Sequence, residues 1–309
     1  MVKLELKIPE SFWKEEVRCE HSVTTSMKKI WAVELDLAYK LLTVCKKHDI
    51  KIITAAGTTL GAIRHGGFIP WDDDIDFIIK RKDYEKLCRI ADTEFKHPYF
   101  FQTEYNDPGS LRGHAQLRNS ETTAILKSCG EINLGFNQGI FIDIFPVDNI
   151  PDNSKQFDSM LSKALFYRKL AHIVAMCSTR FGSYSGKSKL KKTIIDLLHP
   201  IFCVLNYEAC LEKFLYHNYE KVISSYDSCQ TKQSSMLSFM PKEKRFYNDS
   251  NIFSSIVEKK FEFLTFPVPC DYDVYLKNAY GNYKVFKKGA SLHGNVIFDT
   301  ENSYKQYLK

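Results

Sequence analysis

Residues Gly57 to Asp76 read GTTLGAIRHGGFIPWDDDID, and the end of that run constrains the whole chain. Asp72, Asp73, Asp74 and Asp76 place four carboxylates within five positions. Crowded carboxylates repel one another and persist in a fold only beneath a positive partner or under full hydration. Ile75, Phe77, Ile78 and Ile79 interleave with the acids and follow them, so full hydration is not available. Residues two apart on a strand share a face, with Cα atoms roughly 6.5–7 Å apart. Asp74 and Asp76 in that arrangement suit a pair of divalent ions about 3.5–4 Å apart. A calcium-loop reading fails, because Phe77 stands where such a loop needs Gly and Asp83 where it carries Glu.

A second acid fits the same chemistry. Gly139–Val147 (GIFIDIFPV) reads as a buried strand, with Ile140, Ile142 and Ile144 on one face and Phe141, Asp143 and Phe145 on the other. A lone carboxylate between two phenylalanines is costly unless paired. A cation shared with Asp74 and Asp76 answers that cost, and an arginine partner is the alternative. Asp148, just after Pro146, suits a turn cap. Gly57-Thr58-Thr59 is a small-residue turn where backbone N–H groups can approach a phosphate. It is neither a P-loop nor a G-x-G-x-x-G fingerprint. Arg64 and His65 follow with donors for phosphate oxygens. Arg112 and Arg118 are six apart on an expected hairpin, on one face, placed to bind a diphosphate or to pair with surface acids.

Periodicity sets the elements around these motifs. Residues 1–25 read as an arm, and 26–48 as a helix carrying the stripe Ile30, Val33, Leu37, Leu41 and Val44. Ile50–Ala56 is β-like, Leu60–Arg64 one helical turn, Ile75–Ile79 a strand, Arg81–Phe95 a helix and Tyr99–Glu104 a strand. Leu111–Asn119 and Thr122–Leu126 form the expected hairpin about Asn119-Ser120-Glu121. Residues 151–225 are largely helical, with Leu161, Leu165, Leu170 and Ile173 as core candidates and a basic loop from Arg180 to Lys192. Residues 226–260 are polar and irregular. Phe261–Pro269 is extended, and Tyr272–Tyr280 is a helix ending at Gly281. Irregular alternation of strands and helices predicts an α/β (α+β) fold with a mixed sheet flanked by helices. The organisation expected is an arm (1–25), a core (26–150), a helical insertion or subdomain (151–260) and a segment returning to the core (261–309).

Residues 1–150 carry 20 Lys+Arg against 22 Asp+Glu, and residues 151–309 carry 23 against 15. The acidic site thus belongs to the near-neutral half, while the basic half can face an anionic surface. Within it, 166–192 mixes aromatic and basic residues, which suits peripheral contact with a membrane as well as a solvated basic loop. Nine cysteines without a C-x-x-C pair read as free thiols of a reducing compartment. The charged N-terminus does not read as a signal peptide. No run reaches the roughly 18 apolar residues of a membrane span. The nearest is Thr193–Leu205 (TIIDLLHPIFCVL), interrupted by Asp196, His199 and Pro200.

Taken together, GTTLGAIRHGGFIPWDDDID, GIFIDIFPVD and VPCDYDVYLKNAYGNY resemble the LicD family, which includes the fukutin-related proteins. The resemblance covers roughly residues 30–150 and 262–295. It implies a nucleotidyltransferase-like core and transfer of phosphocholine, or of ribitol or glycerol phosphate, from a CDP-activated donor to a glycan, with release of CMP. Carried over by position, Asp74, Asp76 and Asp143 are the catalytic acids and ligands of Mg²⁺ or Mn²⁺, as two ions. Gly57, Thr58 and Thr59 form the phosphate-facing turn, with Arg64, His65, Arg112 and Arg118 about the donor. CDP-choline is the expected donor, and a cell-surface glycan or its lipid-linked precursor the acceptor. No nucleic acid is expected, and the expected place is the cytoplasm, peripheral at the inner membrane face. Family members often have Gly-Gly-Thr-Leu where this chain has Ala56-Gly57-Thr58-Thr59, and clustered C-terminal histidines where it has only His293, to which no role is given. Three other readings fit the residues: an Asp-x-Asp glycosyltransferase using a nucleotide sugar, an enzyme making the CDP-alcohol from CTP, and a non-enzymatic module with a structural cation.

Overall fold

The computed structural model describes residues 1–110, 112–126, 135–179, 189–287 and 296–308. A short hairpin, β1 (Glu16–Arg18) and β2 (His21–Val23), leads into the long helix α1 (Thr25–Lys47). Thr24 starts α1 by accepting a hydrogen bond from the Met27 amide at 3.3 Å, and Lys46 and Lys47 sit in its last turn, where the helix dipole favours cations. Val33, Leu37, Leu41 and Val44 are buried along one stripe of it. Then come β3 (Ile52–Thr54), α2 (Ala56–Arg64), β4 (Asp76–Lys80), α3 (Arg81–Glu94), β5 (Tyr99–Gln102), β6 (Ala115–Asn119), β7 (Thr123–Leu126) and β8 (Ile140–Ile150). Three helices follow, α4 (Ser154–Thr179), α5 (Lys189–Leu205) and α6 (Cys210–Ile223). The chain closes with β9 (Gln233–Ser235), β10 (Asn248–Asp249), β11 (Ile256–Phe261), β12 (Leu264–Pro269), α7 (Tyr272–Tyr280) and β13 (Val296–Asp299).

The main sheet is mixed. β4 pairs antiparallel with β3 and parallel with β8. β6 runs antiparallel along the first half of β8, and β9 along its end. Strand alternation divides the side chains. Phe77, Ile79, Ile140, Ile142 and Ile144 join α1 in the largest apolar cluster. Ile53, Ile78, Phe145 and Val147 face a second cluster with Met236, Phe246 and Phe253. A third cluster lies between α4 and α6, where Leu161 is buried and Leu165 and Leu170 pack against it. Ile173 is half-buried.

Two expectations are corrected. The segments around Asn119-Ser120-Glu121 do not pair with each other. β6 is already hydrogen-bonded to β5 and β8, so β7 finds its partner in β13 instead. The N-terminal arm is also part of the core architecture. The Val2 amide donates to Thr300 O at 2.7 Å, and Arg18 forms an ion pair with Glu262 at 2.5 Å, between β11 and β12. The basic loop is only partly within the described residues, since 180–188 lie outside them.

Candidate active site

Register brings the acids together. β4 and β8 are parallel, with Asp76 directly opposite Asp143, so both side chains leave the same face of the sheet. Asp74 lies in the loop before β4 rather than on the strand, because ladder pairing begins only at Asp76. It nevertheless lines the same cavity as Asp76. Carboxylate oxygens of Asp72, Asp73 and Asp74 come within 4.8 Å of one another. Burial, then the charges of Asp74, Asp143 and Asp72, raise the Asp76 pKa well above the usual carboxylate range.

Three residues unnoticed in the sequence complete this centre. His114 Nε2 and Gln116 Nε2 reach Asp143 Oδ1 at 3.0 and 2.6 Å. They alternate with buried Ala115 and Leu117 along β6, which puts their side chains on the site face. The lone carboxylate between two phenylalanines is therefore answered by hydrogen-bond donors on the adjacent strand. The third residue is Glu34 on α1. It is 1% exposed, and its Oε2 has no hydrogen-bond partner. Burial and the charges of Asp73, Asp74, Asp72 and Asp143 push its pKa far up. Trp31, one turn earlier, donates its indole N–H to Asp72 O at 3.0 Å and fixes the acidic loop to this helix face. The sequence signal was an acid adjoining the apolar stripe of α1, between Val33 and Leu37.

The glycine turn is the first turn of α2. A Cβ at Gly57 would sit 2.8 Å from Asp72 Oδ2, so a larger residue there would push the Asp72 carboxylate aside. Ala56 starts the helix with φ of +39°, a strained value for an L-residue, and its amide donates to the Tyr275 hydroxyl at 2.8 Å. Thr58 and Thr59 turn inward. Thr58 Oγ1 accepts from the Asp76 amide at 2.8 Å, and Thr59 bonds Thr54 at 2.9 Å. Thr58 is thus a positioning residue for Asp76.

A cavity of about 380 Å³ opens over these groups. Asp72, Asp74 and Asp76 lie in its wall with Gly57 and Arg64. Trp71, Phe145, Phe239, Phe246, Tyr280 and Tyr283 supply an aromatic lining, and Arg245 and Lys287 supply positive charge. Arg64 donates to Tyr283 O at 2.9 Å and to His65 Nε2 at 2.9 Å. His65 stands behind Arg64, its ring edge-on to Phe286. Arg112 precedes β6, beside the Phe136 ring, and so does not share a strand face with Arg118. Arg118 is buried and donates to Gln102 Oε1 at 2.5 Å, to Gly139 O at 2.6 Å and to Gln116 Oε1. Because Gln116 in turn donates to Asp143, the Arg118 guanidinium supports the acid from within the sheet. Its inward network replaces the expected diphosphate contact.

His65 gives the site a pH signature. Burial, with Arg64 and Arg18 nearby, lowers its pKa from 6.5 to about 4. The unfolded chain then binds the extra proton first as pH falls. Stability from neutral His65 is complete above about pH 6.5 and is lost as pH drops toward about 4. Between pH 7 and 5 the parent should lose more melting temperature than His65→Gln. Equal losses would show that this ring stays neutral for no energetic reason.

A helix-led glycine turn thus faces carboxylates on parallel strands of a mixed sheet. Residues 49–184 match the family described as LicD/FKTN/FKRP, nucleotidyltransferase domain. The lipopolysaccharide cholinephosphotransferase LicD of Haemophilus influenzae is 26% identical over 245 residues, 78% of this chain and 84% of that relative. An uncharacterised protein of Rickettsia prowazekii is 42% identical over 67 residues, 22% of each chain.

Proposed function

We propose that this chain is a metal-dependent transferase moving phosphocholine from CDP-choline to a hydroxyl of a cell-surface glycan or its lipid-linked precursor, releasing CMP. The observation that carries the reading is Asp76 opposite Asp143 beneath a cavity with acids, cations and aromatic rings in its wall. The similar Haemophilus enzyme is named for choline phosphate transfer to lipopolysaccharide, which supports the transferred group and the acceptor class.

The residues present suit Mg²⁺ or Mn²⁺. The donors are all carboxylate oxygens, the set preferred by hard cations. Crowded acids and the unpartnered Glu34 oxygen call for positive charge. Asp74, Asp76 and Asp143 would hold the cations, as a pair. Bound there, the ions would neutralise the diphosphate and polarise the phosphoryl group. The chain's own groups do the rest. The N-terminus of α2 at Gly57 offers backbone N–H groups to phosphate. Arg64, Arg245 and Lys287 add positive charge along the donor. Trp71, Tyr280 and their aromatic neighbours suit a quaternary ammonium, which aromatic faces attract. Asp143, held by His114 and Gln116, takes the acceptor hydroxyl proton. The new oxygen–phosphorus bond forms as the bond to CMP breaks, and CMP leaves with that electron pair. The enzyme would work in the cytoplasm, at the inner membrane face.

Thermal unfolding with CDP-choline, CDP-ethanolamine, CDP-glycerol, CDP-ribitol, CTP and UDP-sugars, each with and without Mg²⁺, tests this. A ligand at about a hundred times its Kd adds roughly 2.7 kcal/mol of stability. The expected result is a Mg²⁺-dependent shift with CDP-choline. A shift with CDP-ribitol or CDP-glycerol alone would make this a polyol-phosphate transferase, and one with UDP-sugars alone would overturn the proposal.

A further inference from the structure

Helix α5 exposes a long apolar face. Ile195 turns inward and is buried, while Leu190, Ile194, Leu197, Ile201, Val204 and Leu205 are exposed, from 47% at Ile194 to 76% at Val204. At 3.6 residues per turn these six fall within a sector of about 100°, along roughly 22 Å of helix. The sector contains no charged residue, and Thr193 and Pro200 flank it. Single exposed leucines need no explanation, but a continuous stripe marks a surface that something covers.

Charge indicates what covers it. Lys189, Lys191 and Lys192 belong to the first turn of α5, where the stripe begins, and Lys192 is exposed. The one acid of α5, Asp196, falls outside the apolar sector. An uncharged stripe with a lysine cluster at one end is complementary to a bilayer surface of negative headgroups over hydrocarbon. No single described helix is long and apolar enough to cross a membrane. α5 and α6 pass that test only as a pair bent by 65°, and α6 buries Leu215, Tyr216, Tyr219 and Ile223 within the helical cluster. The helix is therefore suited to lie in the interface rather than to span.

We propose that α5 docks this protein on an anionic phospholipid membrane, with Leu190, Ile194, Leu197, Ile201, Val204 and Leu205 inserted at the headgroup boundary. This differs from the contact expected for the basic stretch 166–192, and it does not depend on which donor the site takes. The docked helix is tied to the cavity. His199 Nδ1 bonds Cys177 O at 2.8 Å and Asn206 Nδ2 donates to Ser178 Oγ at 3.0 Å, which fastens α5 to α4. Arg168 of α4 and Tyr219 of α6 both donate to Ser238 O at 3.0 Å. Ser238 sits between Met236 and Met240, which line the cavity with Phe239.

Co-sedimentation of the full chain with phosphatidylcholine vesicles, with and without phosphatidylglycerol, tests the proposal. The parent should bind the anionic vesicles about tenfold more strongly or better. The double variant Leu197→Glu/Val204→Glu should lose binding while melting like the parent, because both positions are exposed. Ile201→Trp should show blue-shifted emission on binding, which reports insertion of the stripe itself. Binding retained by the double variant, or an unshifted Ile201→Trp spectrum on bound protein, would overturn the proposal by leaving lysines alone as the contact. So would concentration-dependent self-association that the double variant abolishes without any vesicle binding, since a second copy would then cover the face.

Discussion

Asp76→Asn is expected to fold, to melt higher than the parent in the absence of divalent cations, and to lose turnover by about 10³-fold. The first two results follow from the electrostatics of the acid cluster. Asp76 lies among Asp72, Asp74, Asp143 and Glu34, and each of these charges opposes its ionisation. Removing one acid relieves that repulsion. The backbone pairing is untouched, because the amide donates to Thr58 and the carbonyl accepts from Ala55 whatever the side chain. The loss of turnover follows from removing a cation ligand worth several kcal/mol of transition-state stabilisation, at about 1.4 kcal/mol per tenfold. Turnover of CDP-choline and melting curves with and without Mg²⁺ check all three. Near-parental turnover with an intact Mg²⁺ shift would remove Asp76 from the proposed metal set.

Arg81→Leu should cost about 3–5 kcal/mol of stability. Arg81 begins α3 directly after β4, and it bridges Asp148 through Nε and Nη2 at 2.6 and 2.8 Å. Its Nη1 also meets Glu220 of α6 at 3.2 Å. The Asp148 side chain is fully buried, so removing the cation strands two acids in a low-dielectric interior. Asp227 adds to the strain, since burial and Asp148 already push its pKa up to about 7. The loss should shrink at acidic pH, where protonation relieves the stranded carboxylates. Urea unfolding at pH 8 and pH 5.5 would show both effects. A loss below about 1 kcal/mol at pH 8 would mean that the interior reorganises or hydrates around Asp148. Asp148 therefore joins the sheet to the helical unit, where the sequence had suggested a turn cap.

What the sequence disclosed was local. The stripe of α1, the strand around Asp143 and the helix ending at Gly281 each declare themselves through periodicity or a terminating residue within a few positions. The partners of those elements do not. Nothing near Thr123 announces that β7 will pair with β13, because strand pairing is settled by which edges remain open after β5, β6 and β8 have joined. The acids were legible because four carboxylates beside isoleucines have few physical explanations. Their supports were not. His114 and Gln116 are ordinary polar residues until the register sets them opposite Asp143. Arg118 looked like a phosphate ligand because a lone arginine on a strand gives no sign of which way the sheet will bury it. Arg245 and Lys287 lie outside the recognisable motifs themselves, and only the closed fold brings them to the cavity.

Asp76 and Asp143 stand opposite one another although 67 positions separate them, on strands that run in the same direction. Parallel pairing over that distance is among the slower events of folding, since loop closure must precede any reward from contact. No segment ending before β8 can hold the two acids in register. A cation bound by both would thus report that β4 and β8 have paired, and its binding energy would be drawn into keeping them paired. During synthesis the chain would carry a half-built, self-repelling acid cluster until β8 emerged and paired with β4.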